Sequence, residues 1–352
     1  MNAMPELETL INTLENEHAL DRADLVKLLT CEEAFPVYTA ADRVRKKFAG
    51  DDVHLRGLIE FSSYCCRTCF YCGLRAANNK IKRFRMEPDE IIECAKHAVS
   101  CGMKTIVLQS GEDRFFTINE LCSIVNRIKC MDVAVTLSIG ELSKSEYTAL
   151  KNAGTDRYLL RIETSNKQLY KSLHPGMSYK NRVRCLYDLK ELDYETGTGC
   201  LIGLPGQTPE MLADDLLFFK ELDADMIGMG PFIPCAGTPL ELQDGGNVGA
   251  VLKMMALARL LMPDINIPAT TALGIKDSGG YEKGLGCGAN VIMPNMGRSE
   301  YKKLYAIYPG KGEGITNLEN QIEAIKSTVF KLGRSIGRDY GNRKRLSDNH
   351  SV

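Results

Sequence analysis

Apolar positions divide the chain into two regimes. From residue 6 to residue 49 they fall at helical spacing, with Leu7, Leu10, Ile11 and Leu14 on one face and Gly50 as a C-terminal stop. Beyond Gly50 the pattern changes and then repeats. Short apolar runs rich in β-branched residues alternate with amphipathic stretches of about a dozen residues, the signature of βαβ units and a parallel sheet. The strand candidates are Leu55–Phe61, Thr105–Gln109, Val133–Ser138, Tyr158–Glu163, Thr196–Leu201, Met226–Gly230, Ile267–Thr271 and Asn290–Pro294. Helix signals lie between them: Pro88 opens one helix and Gly102 follows it, Gly154 follows Tyr147–Ala153, and Thr208-Pro209-Glu210 starts another. Strand–helix repeats over about 250 residues match a (β/α)8 TIM barrel. A doubly wound open sheet needs fewer strands, and no G-x-G-x-x-G follows the first strand. Asn317–Leu332 reads as one more helix, and the closing GRDYGNRKRLSDNHSV as a basic, then polar, solvated tail. The expected organisation is a helical extension over 1–50, the barrel over 51–311, and a C-terminal helix and tail over 312–352.

Composition narrows the function. Of 352 residues, 44% are hydrophobic and 25% charged, with a formal net charge of -1. That balance gives no electrostatic reason for a nucleic-acid or acidic-membrane partner. No apolar run reaches the roughly 20 residues needed to span a bilayer. The opening MNAMPELETLINTLENEH lacks the basic and apolar regions of a secretory signal, so a cytoplasmic protein is expected. Thirteen cysteines, an odd number, do not suggest a disulfide framework in a reducing compartment. Cys31, Cys94, Cys101, Cys122, Cys130, Cys185, Cys200, Cys235 and Cys287 are scattered singly, and most should be small buried hydrophobes. So many free thiols suit an organism that meets little oxygen.

Cys65, Cys66, Cys69 and Cys72 cluster after the first strand, in EFSSYCCRTCFYCGLR. The Cys65-x3-Cys69-x2-Cys72 spacing lets three thiolates of one loop ligate three irons of a cubane, leaving the fourth iron open. S-adenosylmethionine (SAM) can chelate that iron and be split by one electron to a 5'-deoxyadenosyl radical. The cofactors do the hard chemistry, and the protein positions them. The competing reading is zinc, which wants a fourth Cys or His close by. His54 and His97 are isolated, and Cys66, adjacent to Cys65, points elsewhere and reads as a packing residue. Tyr71 is either an aromatic platform for adenine or an ordinary loop tyrosine.

These cysteines, with Tyr71 before the last, resemble the motif of the radical SAM superfamily. The wider sequence is similar to its HydE branch, the [FeFe]-hydrogenase maturases, from about residue 50 to 345. The likeness runs through RGLIEFSSYC (56–65), KTIVLQSGED (104–113), AVTLSIGE (134–141), DRYLLRIETSN (156–166), GLPGQT (203–208), DDLLFFKELDADMIGMGPFIP (214–234), IPATTALG (267–274), CGANVIMPN (287–295), YPGK (308–311) and GRDYG (337–341). The resemblance implies one [4Fe–4S] cluster on Cys65, Cys69 and Cys72, and SAM beside it.

In such a barrel, chemistry sits at the C-terminal strand ends. Gln109 and the Ser110-Gly111-Glu112 loop are expected at the SAM amino group, Ser110 replacing the usual first glycine. Thr136 and Ser138 share a strand face, as do Arg161 and Glu163. Glu163 is expected on the SAM amino group or ribose, Arg182 on its carboxylate or ribose, and Gly203 and Met226 near the adenine; a structural ion pair is the alternative for Arg161 and Glu163. Arg161, Thr270, Thr271, Tyr305 and Tyr308 are expected to line a substrate cavity. Some HydE proteins carry a second cluster on a C-x7-C-x2-C motif after YPGK. Here GEGITNLENQIEAIKS (312–327) has no cysteine, so no second cluster is expected. The implied substrate is a small cysteine-bearing iron complex with carbonyl and cyanide ligands, and the implied partners are other maturases and an electron donor. The rival readings are a methylornithine synthase-like mutase, more distantly biotin synthase, and a non-catalytic iron–sulfur or zinc scaffold.

Overall fold

The computed structural model describes residues 3–311 and 317–345. The barrel strands are β1 (Asp52–Ser62), β2 (Thr105–Ser110), β3 (Ala134–Ser138), β4 (Arg157–Leu159), β5 (Glu195–Thr198), β6 (Met226–Ile227), β7 (Pro268–Ala269) and β8 (Val291–Ile292). They pair in the order β6-β5-β4-β3-β2-β1-β8-β7, every neighbour parallel. The two ends of that order meet at a parallel bridge from Met226 to Asn266, where the Ile227 N–H donates to the Asn266 carbonyl at 3.0 Å. The sheet thus closes into the expected barrel.

Helices α1 (Ala3–Glu17), α2 (Arg22–Thr30) and α3 (Phe35–Ala49) precede β1. Then α4 (Pro88–Ser100), α5 (Ile118–Lys129) and α6 (Lys144–Asn152) follow β1 to β3, while α7 (Lys167–Leu173) and α8 (Tyr179–Glu191) follow β4. Beyond these lie α9 (Pro209–Glu221), α10 (Val248–Leu261), α11 (Thr271–Lys276), α12 (Gly280–Gly286), α13 (Ser299–Lys302) and α14 (Leu318–Lys331). Capping explains the starts: Glu87 and Glu90 form a capping box around Pro88, and the Thr208 hydroxyl accepts from the Met211 N–H. Helix α10 is apolar almost all round and, Lys253 aside, buried from Val251 to Leu261, so it needs cover on two sides. The barrel supplies one; α1, α2 and α3 supply the other.

Several strands end earlier than expected, β6 at Ile227 and β8 at Ile292 among them, and three have a distinct local geometry. β4 stops at Leu159, and the chain regains its neighbour only at a single parallel bridge from Glu163 (φ 66) to Cys200, where the Glu163 N–H donates to the Gly199 carbonyl at 3.0 Å. β5 stops at Thr198, because Gly199 (φ 155) passes so close to Gly228 that a Cβ would sit 1.9 Å from its carbonyl oxygen. The chain resumes as Leu201–Ile202, which pairs with Gly230–Pro231 outside the main sheet. Thr271 does not end a strand. It opens α11, with Thr270 as N-cap.

The tail is not a loose end where it is described. Ser335–Ile336 pairs with Asp52–Val53, and residues 337–345 then cross the N-terminal end of the barrel. The fully buried Arg56 donates to the Gly341 carbonyl at 2.9 Å, and Arg157 donates to the Tyr340 carbonyl at 2.8 Å. Gly341 has φ 63, and a Cβ there would meet the His54 ring at 2.7 Å. Arg343 pairs with Asp223 at 2.6 Å and Asp264 at 2.9 Å, and Arg345 with Asp225 at 2.6 Å. These contacts are why the basic stretch is held. The polar end, 346–352, and the segment 312–316 lie outside the described residues.

Candidate active site

The loop from β1 to α4 carries the cysteines across the C-terminal end of the barrel. Arg83 pins it by donating to the carbonyls of Ser63, Leu74, Arg75 and Asn78 at 2.6–3.2 Å. Gly111, at the end of β2, presses against it so closely that a Cβ would lie 2.3 Å from the Tyr64 carbonyl oxygen. Cys65, Cys69 and Cys72 face one cavity of 240 Å³, shared with Tyr71, Gln109, Ser110, Gly111, Glu112, Ser138, Arg161, Glu163, Arg182 and Tyr308. Cys66 is exposed on the outer face and does not pack as expected, because its N–H is drawn to the Glu112 carbonyl at 2.9 Å. A larger cavity of 580 Å³ lies against Arg67, Glu112 and Glu141 and contains none of the cysteines, so the chemistry points to the smaller one.

The donor set fits a cubane. Burial and the nearby Cys65 push the Cys69 thiol up to about 12, and burial also raises Cys65 and Cys72. These are clustered soft donors whose thiolates need iron in place of the proton. Among the described residues no three His, Cys, Asp or Glu side chains are spaced to grip one metal ion. Three thiolates each on a different iron stand farther apart than that. Cys65, Cys69 and Cys72, three soft donors of one loop facing one cavity, suit the three protein ligands of a cubane.

Beside the thiols, the Arg161 Nη2 and Glu163 Oε2 atoms are 3.0 Å apart, yet they lack hydrogen-bond alignment with each other or any other described group. Burial raises the Glu163 carboxyl above its ordinary value, against the pull of Arg161 and Arg182. Glu163 also sits in left-handed backbone, a strain of about 1–3 kcal/mol for a non-glycine residue. A buried, strained carboxylate beside a half-buried guanidinium, both incompletely satisfied, is the kind of arrangement a ligand can complete.

Two functional groups escaped the sequence reading. The first is an ion relay behind the cysteine loop. Arg67 pairs with Glu112 and reaches Glu141 at 3.1 Å, and Glu141 pairs with Arg182 at 2.8 Å. Arg182 also donates to the Arg161 carbonyl. Gly140 makes room, since a Cβ there would lie 1.9 Å from the Glu112 side chain. Arg67 stands inside the cysteine motif, and that position was the available signal.

The second group lies beside the tyrosines. Lys311 pairs with Glu60 at 2.7 Å, both nearly excluded from water, and the other Glu60 oxygen accepts from Asn295 at 2.6 Å. Burial alone would lower the Lys311 ammonium, but Glu60 and Tyr308 outweigh it and raise its pKa. Lys311 lies in the YPGK segment, three residues after Tyr308, and its N–H donates to the Tyr308 carbonyl at 3.4 Å.

Other expected residues are placed elsewhere. Thr136 is fully buried, its hydroxyl without a partner, and does not line the cavity. Met226 lies low in the barrel, where its sulfur accepts from Arg56 at 3.2 Å, so the adenine contact expected of it is corrected. Gly203 (φ 87) crosses Gly246, where a Cβ would lie 2.3 Å from Cα, and serves the turn. Thr270 caps α11, Thr271 interacts with the Tyr281 hydroxyl, and Tyr305 is buried near Cys72 and Glu60. None of the last three lines the 240 Å³ cavity.

A parallel barrel with a three-cysteine loop over β1 and a charged cavity beneath it defines a radical SAM enzyme. The model of the Radical SAM superfamily matches residues 59–219. The [FeFe] hydrogenase maturase subunit HydE of Thermotoga maritima is 52% identical over 88% of this chain and 89% of its own length. The 3-methylornithine synthase of Methanosarcina acetivorans is 30% identical over 89% of this chain and 87% of its own. The crystal structure of methylornithine synthase (PylB) superposes with a TM-score of 0.81 at 25% identity, covering 97% of this chain and 99% of that one. The chain belongs to the radical SAM superfamily and, within it, to the HydE family of maturases.

Proposed function

We propose that the chain serves assembly of the [FeFe]-hydrogenase H-cluster by radical attack on a small cysteine-bearing iron carbonyl and cyanide complex. When bound, the cluster and SAM together supply a 5'-deoxyadenosyl radical by one-electron cleavage of the sulfonium C–S bond. Cys65, Cys69 and Cys72 would hold the cluster. The Ser110–Glu112 loop, Gln109 and Ser138 would hold the methionine end, Glu163 and Arg182 the amino group, carboxylate or ribose, and Tyr71 the adenine. Arg161 faces the substrate side with a rigid guanidinium suited to a carboxylate, and Tyr308 closes that side. Thr270, Thr271 and Tyr305 remain proposed substrate contacts from outside the cavity lining. The reading includes one cluster per chain, a cytoplasmic setting, other maturases and a reductant as partners, and division of the chain after residues 50 and 311. No helix of the described residues is long and apolar enough to cross a membrane.

The observation that supports it most is the 52% identity to a HydE protein over nearly the whole of both chains. Methylornithine synthase is the second reading, favoured by the shared fold. A lysine substrate would bring an ε-ammonium that needs a carboxylate if buried. Glu60 is already neutralised by Lys311, and Glu112 by Arg67. The test incubates reduced enzyme with SAM and lysine, and separately complements a maturation strain lacking HydE. Complementation, with no methylornithine by mass spectrometry, is expected. Arg161→Ala should abolish complementation while leaving the cluster intact. Multiple turnover of lysine would overturn the reading.

A further inference from the structure

The cysteine loop itself is strongly one-sided in charge. Between Ser63 and Met86 its ionisable acid–base side chains, cysteines and tyrosines aside, are all cations: Arg67, Arg75, Lys80, Lys82, Arg83 and Arg85. This contrasts with a whole-chain net charge of -1. Arg67 and Arg85 are matched, by Glu112 and Asp113. Arg75, Lys80, Lys82 and Arg83 have no carboxylate partner among the described residues. Of the next carboxylates, Glu87 is exposed and caps α4 by accepting from the Glu90 N–H, while Asp89 is paired with Arg127 and Glu90 with Arg298.

The cations share one loop, with Arg75, Arg83 and Arg85 half-buried and Lys80 and Lys82 exposed. Arg85 lies 3.7 Å over the Tyr64 ring and 4.4 Å over Phe115, which is 62% exposed. Arg83 flanks the same Tyr64 ring, and Arg75 flanks Phe70. Hydrogen bonds from Arg83 to the carbonyls of Arg75 and Asn78 tie the two halves together. Lys80 and Lys82 are exposed beyond them. The surface is thus the outer face of the very loop whose inner face presents Cys65, Cys69 and Cys72 to the cavity.

We infer that this face docks a small acidic iron–sulfur carrier protein that delivers the single electron the site needs. The proposal rests on the three-cysteine loop, not on the identity of the substrate. Unneutralised cations steer an acidic partner and fix its orientation. Exposed Arg and aromatic side chains supply the anchoring contacts common at interfaces. Iron–sulfur carriers pass one electron at a time and reach the low potentials required. The carrier is oxidised by one electron, which goes to the cluster held by the loop, and no proton or leaving group moves.

The test uses the cluster-loaded full chain and a reduced two-cluster bacterial ferredoxin as probe. Binding is followed by calorimetry at low and high salt, and 5'-deoxyadenosine formation is followed with the ferredoxin or with dithionite. Lys80→Glu with Lys82→Glu should weaken ferredoxin binding about tenfold or more at low salt. Dithionite-driven cleavage should stay within about twofold of wild type. A control pair, Lys326→Glu with Lys331→Glu on α14, makes the same charge change near the tail strand that pairs with the opposite end of β1. Unchanged ferredoxin binding in the loop variant, or equal weakening in the control pair, would overturn the proposal. So would loop-dependent binding seen only with a flavin carrier. Loss of dithionite-driven cleavage in wild type would instead count against the radical SAM reading, leaving the docking result to stand by itself.

Discussion

The Tyr71 hydroxyl lies 2.8 Å from Nε2 of His174, a residue 103 positions further along the chain. The other ring nitrogen, Nδ1, lies 2.8 Å from the Tyr170 carbonyl, which can only accept. Nδ1 therefore carries the proton, Nε2 accepts, and Tyr71 donates. The His174 ring also stacks on Tyr170, with centroids 4.1 Å apart. This fixes the aromatic between the second and third cysteines. Tyr71→Phe and His174→Asn should each weaken SAM binding to the cluster-loaded enzyme, and the double variant should be little worse than either alone. A coupling of about 1–2 kcal/mol in the cycle is expected. Additive losses would show that His174 does not act through Tyr71.

His174 also imposes a pH dependence on stability. Burial pushes its imidazole down to about 4 from an ordinary value near 6.5. The unfolded chain takes up a proton below about pH 6.5 that the native state refuses until about pH 4. The contribution of neutral His174 is therefore complete above pH 6.5 and is lost progressively as the pH falls, by about 3 kcal/mol in all. Urea unfolding of wild type and His174→Asn should show a stability gap that narrows between about pH 7 and about pH 4.5. A constant gap would mean an unshifted imidazole.

Iron content tests the cysteine assignments. Anaerobic reconstitution should give about four iron atoms per chain, as one [4Fe–4S] cluster contains. Cys69→Ala should lose the cluster. Cys66→Ala should keep it, because that side chain points outward. Retention in Cys65→Ala with loss in Cys66→Ala would reverse the assignment, and a reproducible excess of about two or more irons would reveal a second site.

The Glu60–Lys311 pair should matter more broken than absent. Lys311→Met leaves a carboxylate almost wholly buried without its cation, which costs about 3–5 kcal/mol. Adding Glu60→Gln should recover much of that in thermal or urea unfolding. Failure to recover would place the role of Lys311 in something other than neutralising Glu60.

The parts of this enzyme that local pattern encodes were legible. The cysteine spacing, the alternation of strands and helices, and the caps at Pro88 and Thr208 all depend on neighbours in sequence. What was missed depends on distant partners. Arg67 and Glu141 are 74 residues apart, so no window of the chain shows them meeting. Glu163 reads as a strand residue until its φ of 66 is seen. Met226 lies on a barrel strand as expected, but a strand has two ends, and periodicity does not say which end a thioether faces. Basic residues at the C-terminus look solvated because their acids, Asp223, Asp225 and Asp264, lie far upstream.

The stretch from Gly337 to Arg345 turns the barrel into a vessel with a fixed bottom. Arg56 and Arg157 are committed to its backbone, so traffic does not pass between the β-strands and the tail. A molecule bound deep inside must come and go past the cysteine loop. Ordered occupancy is the expected consequence: a ligand seated deep should enter before one at the rim, and leave after it. The tail, at the end of the barrel away from the cysteine loop, would thereby set the sequence of a turnover.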